Sequence, residues 1–293
     1  MSKKSHKSGE VAFDQFYESH FGERWQTLKK ALLTPKSHIM IHNPHGKFNS
    51  DGLELFANCP FLFNVKGEYP KPEITPFPYY FIDGASAYAP LSLEIEEGEE
   101  VLDLCAAPGG KSLIMALLLK GTGRLVANDK SENRRFRLLD VIRNYIPEEV
   151  IADHIKVTGH DATKWCLYEK EAFDKILLDA PCSSEKHVLA APHELKQWRL
   201  GRTKRLAMNQ WTMLASAWLV LKPGGRIVYS TCSISPLEND DVVKKLINKF
   251  GDEADVLFPQ IKGGEQSEFG TWLLPDQSGH GPFYLAVIDK LPR

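Results

Sequence analysis

From about residue 99 onward, short apolar runs alternate with stretches whose apolar residues recur at helical spacing. Apolar runs bounded by turn residues predict buried strands, and an apolar period of about 3.6 residues predicts helices. The predicted strands are 101–105, 124–129, 154–159, 173–180 and 225–231, with strand-like pieces near 270–274 and 283–289. The predicted helices are 110–120, 131–145, 203–222 and 237–249. This alternation indicates an α/β fold with a mainly parallel, doubly wound sheet of the Rossmann-like type.

The first 80 residues follow a different pattern. Residues 1–10 are polar, and we expect them to be disordered. Residues 11–33 place apolar and aromatic side chains at helical spacing, which predicts a helix. Between residues 34 and 80, seven prolines predict a loop-rich connector with at most short strands. We therefore divide the chain into a helical and loop-rich N-terminal extension, 1–80, and a main domain, 81–293.

The composition narrows the class of protein. The 293 residues are 43% hydrophobic and 25% charged, which is typical of one large globular domain with an appendage. The formal net charge of −2 neither requires nor excludes a nucleic-acid partner, because a local basic surface is enough to bind phosphates. The five cysteines are scattered and contain no CxxC pair, so we expect reduced thiols and no metal site. Cys59, Cys105 and Cys166 are most simply explained as core side chains.

The start of the chain has basic residues but no apolar run behind them, so it does not resemble a signal peptide. A mitochondrial presequence would rarely carry acids so early. No segment approaches the roughly 20 apolar residues that a membrane span needs. We therefore expect a soluble, cytoplasmic protein with no membrane contact.

A glycine turn follows the first predicted strand of the main domain. CAAPGGKS, residues 105–112, sets a proline and two glycines before a helix, so a ligand can approach the backbone and the positive end of the helix dipole. The first glycine and the spacing of a phosphate-binding GxxxxGKS/T loop are missing. An uncharged or carboxylate-bearing cofactor therefore fits better than a triphosphate. The candidate cofactor-binding residues of the turn are Cys105, Ala106, Ala107, Pro108, Gly109, Gly110 and Lys111, and Asp179, at the end of a later strand, is a further candidate.

Acids follow the next two predicted strands. Asp129 lies about 20 residues past the glycine turn, where it is placed to accept both hydroxyls of a ribose. Asp161 is placed to hold an adenine amino group. Either acid alone is more simply explained as a helix cap or a solvated loop residue, but together they favour a nucleoside site. S-adenosylmethionine fits this pattern best, and NAD fits less well because GxGxxG is absent.

Cysteines follow the fourth and fifth predicted strands: Cys182 comes shortly after Asp179, and Cys232 follows a threonine. If these strands are neighbours, both sulfurs face one crevice beside the cofactor. Two thiols suit methylation of cytosine at carbon 5, because a thiolate added at carbon 6 converts the ring to a nucleophilic enamine. Asp179 is the candidate for contacts with N3 and the exocyclic amine, and Lys111 for the cation that ionises the thiol. On this chemistry, either cysteine is an equal candidate for the nucleophile.

Three motifs, DLCAAPGGKS, DAPCSS and YSTCS, resemble in order and spacing those of the RNA cytosine-5 methyltransferases of the NSUN and RsmB type. FDQFYESHFGERW, YYFIDGASAYAP and GPFYLAVI are similar to the short mitochondrial branch of that family, so the resemblance covers nearly the whole chain. It implies a class I methyltransferase fold, S-adenosyl-L-methionine as cofactor, Cys232 as nucleophile and Cys182 as the thiol that aids product release. The other implied contacts are Ala106 to Lys111 with the donor, Asp129 with its ribose, Asp161 with its adenine and Asp179 with the target base.

The resemblance implies ribosomal RNA or tRNA as the substrate. After Cys182 the chain departs from the more common family motif, and we expect it to lack the large N-terminal RNA-binding module and the PUA-like C-terminal module of other members. We therefore expect RNA recognition from residues 1–80, from surface loops or from a partner protein, with the enzyme itself a monomer. The segment 182–211 mixes cations with aromatic residues and is the best candidate for an RNA-binding surface. A solvated helix with two core tryptophans, Trp198 and Trp211, explains its individual residues equally well.

Two other hypotheses compete with an RNA cytosine-5 methyltransferase that acts through a covalent adduct between cysteine and cytosine carbon 6. One is a non-catalytic RNA-binding or ribosome-assembly factor that retains the methyltransferase fold, against which the intact motifs argue. The other is methylation of cytosine in DNA, which the order of the motifs disfavours.

Overall fold

Two sheets organise the part of the chain that the structure describes, a small antiparallel one and a large, mainly parallel one. The structure is a computed structural model, and it describes residues 8–35, 37–67 and 69–293. The predicted fold class, an α/β protein with a mainly parallel, doubly wound sheet, is confirmed.

Two helices, α1 (Gly9–Phe21) and α2 (Trp25–Leu33), precede the sheets. The single helix predicted over 11–33 is broken at Gly22, which has a positive φ of 56°, a conformation in which glycine readily ends helices. The prediction of disorder over residues 1–10 is wrong for residues 8–10. Ser8 caps α1 through its hydroxyl, and Gly9 is buried at the start of the helix, whereas residues 1–7 lie outside the described residues.

Four short strands form the small antiparallel sheet in the order β2-β3-β1-β4. They are β1 (His38–His42), β2 (Glu54–Leu55), β3 (Leu62–Asn64) and β4 (Tyr79–Asp83). Short strands among loops are what the prolines of residues 34–80 predicted. Strand β4 crosses residue 80 and continues into helix α3 (Gly84–Leu91), which the apolar pattern did not predict. The division into two domains at residue 80 stays a prediction.

The large sheet has the strand order β11-β12-β13-β9-β8-β5-β6-β7, with β10 paired to β13. Its strands are β5 (Glu100–Asp103), β6 (Arg124–Asn128), β7 (Ile155–Thr158), β8 (Phe173–Asp179), β9 (Leu221–Thr231), β10 (Ala254–Leu257), β11 (Glu265–Gln266), β12 (Thr271–Leu273) and β13 (Phe283–Lys290). Strands β7, β6, β5, β8 and β9 are parallel. The chain runs outward from β5 through β6 and β7 and then returns to the other side of β5. Ligands of such sheets bind where the order reverses, beyond the carboxyl ends of β5 and β8.

The remaining helices connect or flank these strands. They are α4 (Gly110–Leu119), α5 (Glu132–Tyr145), α6 (Glu148–His154), α7 (Glu185–Ala190), α8 (Pro192–Lys196), α9 (Leu200–Val220), α10 (Asp240–Phe250) and α11 (Pro275–Ser278). Helices α6 to α8 were not predicted, because elements this short show no clear apolar period. The strand predicted to begin at residue 225 begins at Leu221, since Leu221 pairs with Phe173 of β8.

The central strands supply the hydrophobic core under the candidate site. Leu102 of β5, Ile176 and Leu178 of β8, and Ile227 and Tyr229 of β9 are fully buried. Burial of one such side chain stabilises the fold by roughly 1.5–3 kcal/mol. The polar residues at the carboxyl ends of these strands are therefore held on a rigid base.

Candidate active site

Cys182 and Cys232 follow β8 and β9, which are parallel neighbours in the large sheet. Asp179 pairs with Ser230 across these strands, so both segments leave the sheet side by side. The two sulfur atoms are 3.1 Å apart, within hydrogen-bond distance, and both side chains are partly exposed. The structure therefore brings together the two thiols that the sequence placed at the ends of separate strands.

The two thiols differ in their electrostatic surroundings. The hydrogen bond with Cys182 lowers the pKa of Cys232, although burial opposes this, and a hydrogen bond with Ser184 lowers it further. The same Cys182–Cys232 bond, followed by burial and by the negative charges of Glu238 and Glu185, raises the pKa of Cys182 well above its ordinary value. The site therefore favours a thiolate at Cys232 and a protonated thiol at Cys182.

An ion pair lies beside the thiols. Lys111 Nζ donates to Asp179 Oδ2 at 2.7 Å, and the Ser230 hydroxyl donates to Asp179 Oδ1 at 3.0 Å. Burial lowers the pKa of Lys111, but Asp179 and other nearby charges, including that of Cys232, raise it above its ordinary value. Lys111 is therefore a cation, which is what ionisation of a neighbouring thiol requires.

A cavity of about 260 Å³ lies between the glycine turn and the small sheet. The whole predicted cofactor turn, Cys105 to Lys111, lines it, together with Asp179 and residues of β4. Gly109 has a φ of 122°, which residues with a side chain rarely adopt, and a Cβ on Gly110 would lie 2.9 Å from the Tyr80 ring. Helix α4 begins here without a side-chain cap, so its first N–H groups are available to a ligand. The turn thus fits a small cofactor that approaches the backbone closely.

Asp103, the last residue of β5, is a site residue that the sequence analysis missed. It lines the same cavity and is 1% exposed, and its Oδ2 accepts a hydrogen bond from Ser112 at 2.7 Å. Its Oδ1 is buried without a hydrogen-bond partner among the described residues, and burial raises the pKa of Asp103 to about 7. Such an oxygen is placed to bind a polar group of the cofactor. The sequence signal that could have identified Asp103 is an acidic residue directly before the glycine turn.

The two predicted nucleoside-binding acids lie at the next strand ends, where protein groups already contact them. Asp129 is 3% exposed, and its Oδ2 lies 3.2 Å from Arg134 Nη1. Asp161 accepts hydrogen bonds from Thr163 as the cap of a 3₁₀ turn, and its bond with Lys130 lowers the pKa of Asp161 to about 2. Neither acid is among the described residues that line the cavity at the glycine turn. Their contacts with ribose and adenine stay predictions.

Behind the thiols lies a buried hydrogen-bond network that the sequence analysis did not predict. Glu185 and Glu238 are fully buried, and the Ser183 hydroxyl contacts a carboxylate oxygen of each. Tyr17 donates to Glu185 at 2.6 Å, and Gln210 donates to Glu238 at 2.7 Å. Burial, and then the charge of Glu185, raises the pKa of Glu238 to about 7. The network ties both cysteine loops to helices α1 and α9.

The segment 182–211, predicted as an RNA-binding surface, combines core and surface residues. Trp198 is 8% exposed and its ring lies 5.4 Å from that of Phe13, while Trp211 packs against the same core. The simpler explanation of the two tryptophans as core residues is therefore correct. The cations of the segment that lie at the surface are Lys196, Arg199, Arg202, Lys204 and Arg205.

The fold and the site define a class I methyltransferase that uses S-adenosylmethionine. The sheet reverses its strand order where the glycine turn, the buried Asp103 and the paired thiols meet. S-adenosylmethionine is the cofactor of this class.

Comparisons with known proteins identify the family within this class. The family model for the 16S rRNA methyltransferase RsmB/F matches residues 90–289. The chain is 32% identical to the 5-cytosine rRNA methyltransferase NSUN4 of Mus musculus, covering 96% of this chain and 88% of that protein. It is 30% identical to the mitochondrial tRNA (cytosine(34)-C(5))-methyltransferase of Mus musculus, covering 95% and 86% respectively. The chain therefore belongs to the RsmB/F family of RNA cytosine-5 methyltransferases, as its three motifs predicted.

Solved structures share the fold over nearly the whole chain. A methyltransferase homolog protein from Pyrococcus horikoshii matches with a TM-score of 0.78 and 26% identity, covering 96% of this chain and 95% of that one. NSun6 from the same organism, solved with SFG, matches with a TM-score of 0.74 and 21% identity, covering 96% and 98%. The N-terminal helices and the small sheet are thus part of the shared architecture.

Proposed function

We propose that this protein methylates carbon 5 of a cytosine in ribosomal RNA or tRNA through a covalent adduct with Cys232. The observation that carries the proposal is the 3.1 Å separation between the sulfurs of Cys182 and Cys232, beside the ion pair of Lys111 and Asp179. The names of the relatives support RNA as the substrate, because one acts on rRNA and the other on tRNA.

Cys232 is the nucleophile in this proposal, because its pKa is lowered and Lys111 is a nearby cation. Its sulfur forms a bond to carbon 6 of the base, and the electron pair of the carbon 5–carbon 6 double bond makes carbon 5 nucleophilic. Asp179 accepts a hydrogen bond from the exocyclic amine, and N3 takes up a proton from solvent beside Asp179 as negative charge develops on the ring; N3 releases that proton when the adduct breaks down. The glycine turn and Asp103 hold the cofactor, which supplies an electrophilic methyl group to carbon 5.

Cys182 acts when the adduct breaks down. Carbon 5 loses its proton to a base, the carbon 6–sulfur bond breaks, and its electron pair returns to the sulfur as the ring double bond re-forms. Cys182 keeps its own proton because its pKa is raised, and it lies within hydrogen-bond distance of the departing sulfur. Its thiol therefore stabilises the Cys232 thiolate as it leaves the base.

The test is a methyl-transfer assay with labelled S-adenosylmethionine and RNA from cells that lack the protein. We expect 5-methylcytosine from the wild-type protein, no product from Cys232→Ala, and a covalent RNA adduct from Cys182→Ala that persists on a denaturing gel. Cys166→Ala, at a distant cysteine, is the matched control and should retain activity. Methyl transfer by Cys232→Ala, or the absence of an adduct with Cys182→Ala, would overturn the roles proposed for these two cysteines. RNA binding without a methyl product on any RNA would instead support a non-catalytic factor.

RNA recognition by residues 1–80, by surface loops or by a partner protein belongs to the same proposal. The monomeric state and the cytoplasmic location stay predictions. Within the described residues, no helix combines the length and the apolar character needed to cross a membrane.

A further inference from the structure

A second cavity, of about 240 Å³, lies between the segment after Cys182 and the start of helix α9 and shares no lining residue with the cofactor cavity. Ser183 lines it, and Ser183 directly follows Cys182 in the chain. Trp198 and Arg199 line both this cavity and a neighbouring groove that reaches helix α1. The cavity therefore adjoins the groove through Trp198 and Arg199, and through Ser183 it lies one residue along the chain from Cys182.

The lining of this cavity carries an excess of positive charge. Arg199, Arg202 and Arg205 line it, against a single carboxylate, that of Glu194. Glu194 lies 3.5 Å from Arg202, whereas Arg199 and Arg205 have no ion-pair partner among the residues that the structure describes. Two guanidinium groups are thus available to an anion.

Helix α9 begins at the same place. Arg199 is its N-cap residue and no side chain caps this end, so the first N–H groups and the positive end of the helix dipole are available to an anion. Thr203 lies in the first turn, lines the cavity and is fully buried, yet its hydroxyl has no hydrogen-bond partner among the described residues. A buried hydroxyl in that state favours a ligand that accepts a hydrogen bond from it.

We propose that this cavity, which we call the arginine pocket, binds a backbone phosphate of single-stranded RNA beside the target cytosine. The proposal rests on the proposed function. A phosphodiester carries one negative charge and two free oxygens, which accept hydrogen bonds from guanidinium, backbone N–H and hydroxyl groups. Because Ser183 lines the pocket and directly follows Cys182, we assign the bound phosphate to a nucleotide that flanks a cytosine held at Cys182 and Cys232.

The test measures binding of a single-stranded RNA oligonucleotide with one central cytosine, by fluorescence anisotropy at a series of KCl concentrations. We expect Arg199→Gln and Arg205→Gln each to weaken binding roughly threefold to tenfold and to reduce the salt dependence by about 0.7 per lost phosphate contact. Arg137→Gln, at an exposed arginine of α5, is the matched control and should change neither quantity. Unchanged affinity and salt dependence in both pocket variants would overturn the proposal.

Thr203→Val separates ligand binding from folding. Replacing an unpartnered buried hydroxyl with a methyl group does not lower stability, so this variant should melt at or above the wild-type temperature while binding the RNA more weakly. If Thr203→Val binds RNA with wild-type affinity and melts at the wild-type temperature, Thr203 does not contact the bound phosphate.

An oligonucleotide with neutral methylphosphonate linkages on both sides of the cytosine tests which charge is bound. The wild-type protein should bind it more weakly than normal RNA, and the Arg199→Gln/Arg205→Gln protein should lose nothing further. If the neutral linkages and the two arginine substitutions weaken RNA binding additively, the arginines do not bind these phosphates and the assignment is overturned. Inorganic phosphate that raises the melting temperature through these arginines, with RNA binding unaffected, would identify a free-anion site instead.

These experiments distinguish failure of the arginine-pocket proposal from failure of the proposed function. If the wild-type protein makes no 5-methylcytosine but its RNA affinity depends on the arginine pocket, the catalytic proposal fails and the pocket stands. If the wild-type protein methylates RNA and both arginine variants match its affinity and its KM for RNA, only the pocket fails.

Discussion

Lys111 Nζ lies 2.7 Å from Asp179 Oδ2. The lysine predicted to ionise the thiol therefore forms an ion pair with the carboxylate predicted to contact the cytosine base. The two charges act on Cys232 in opposite directions. The negative charge of Asp179 raises the pKa of Cys232, whereas Lys111 and the Cys232 thiolate stabilise one another. The ion pair therefore adjusts the ionisation of the nucleophile while it orients Asp179.

Lys111→Met and Asp179→Asn should shift the titration of Cys232 in opposite directions. Loss of the lysine leaves the carboxylate unopposed and raises the pKa of Cys232, while loss of the carboxylate lowers it. The measurement is the pH dependence of iodoacetamide alkylation of Cys232, followed by peptide mass spectrometry. Lys120→Met, which removes an exposed lysine paired with Glu97, is the control and should leave the profile unchanged. Shifts in the same direction would contradict this account.

Gly110→Ala should weaken cofactor binding without unfolding the protein. A Cβ at this position would lie 2.9 Å from Tyr80 Cε1 and 3.2 Å from Ile82 Cδ1, and both residues line the cofactor cavity. The side chains of Tyr80 and Ile82 must then move within the cavity lining, and we expect the affinity for S-adenosylmethionine to fall roughly tenfold, about 1.4 kcal/mol, by calorimetry. Gly251→Ala, whose Cβ would lie 3.5 Å from its nearest neighbour, should bind normally. Normal binding by Gly110→Ala would contradict a close approach of the cofactor at this turn.

Asp129→Ala and Asp161→Ser test the two predicted nucleoside contacts. Serine caps helical turns well, so Asp161→Ser should keep the cap of its 3₁₀ turn while removing the carboxylate. If both acids bind the nucleoside, each variant loses affinity for S-adenosylmethionine, by roughly fivefold or more, with a melting temperature close to that of the wild type. Full affinity in Asp161→Ser would leave Asp161 with only its capping role.

The sequence predicted that the two thiols meet on the condition that their strands are neighbours, and the structure supplies that condition. Parallel neighbouring strands end at one edge of a sheet, so cysteines that follow β8 and β9 must lie close together once those strands are adjacent. The glycine turn was predictable for the same reason, since it follows β5 at the point where the strand order reverses. These predictions needed only strand ends, which apolar periodicity locates well.

The surroundings of the thiols were not predictable, because they come from residues far apart in the chain. Tyr17 reaches Glu185 across 168 positions, and Gln210 reaches Glu238 from another helix. No local sequence pattern encodes such contacts. The difference in pKa between Cys182 and Cys232 could therefore not be predicted either. The start of β9 at Leu221 was missed for a similar reason, since it depends on pairing with Phe173 rather than on local propensity.

Glu238 should make the stability of the protein fall as the pH rises toward neutrality. Burial, and then the charge of Glu185, raises the pKa of Glu238 from 4.5 to about 7 in the folded state. Between these values the folded protein holds a proton that the unfolded chain releases, so the stabilising contribution is complete below pH 4.5 and is lost as the pH rises through about 7.

Glu238→Gln isolates this effect, because the amide keeps a neutral hydrogen-bonding group and removes the titration. Relative to the variant, the wild-type free energy of unfolding should decline by about 1.4 kcal/mol for each unit by which the pKa is raised. The measurement is urea unfolding at several pH values, with Glu253→Gln as the control at an exposed acid. Asp103 titrates in the same range but is present in every protein compared, so the difference between curves reports Glu238 alone. Parallel curves would mean that the pKa of Glu238 is the same in the folded and the unfolded protein, which would contradict this account.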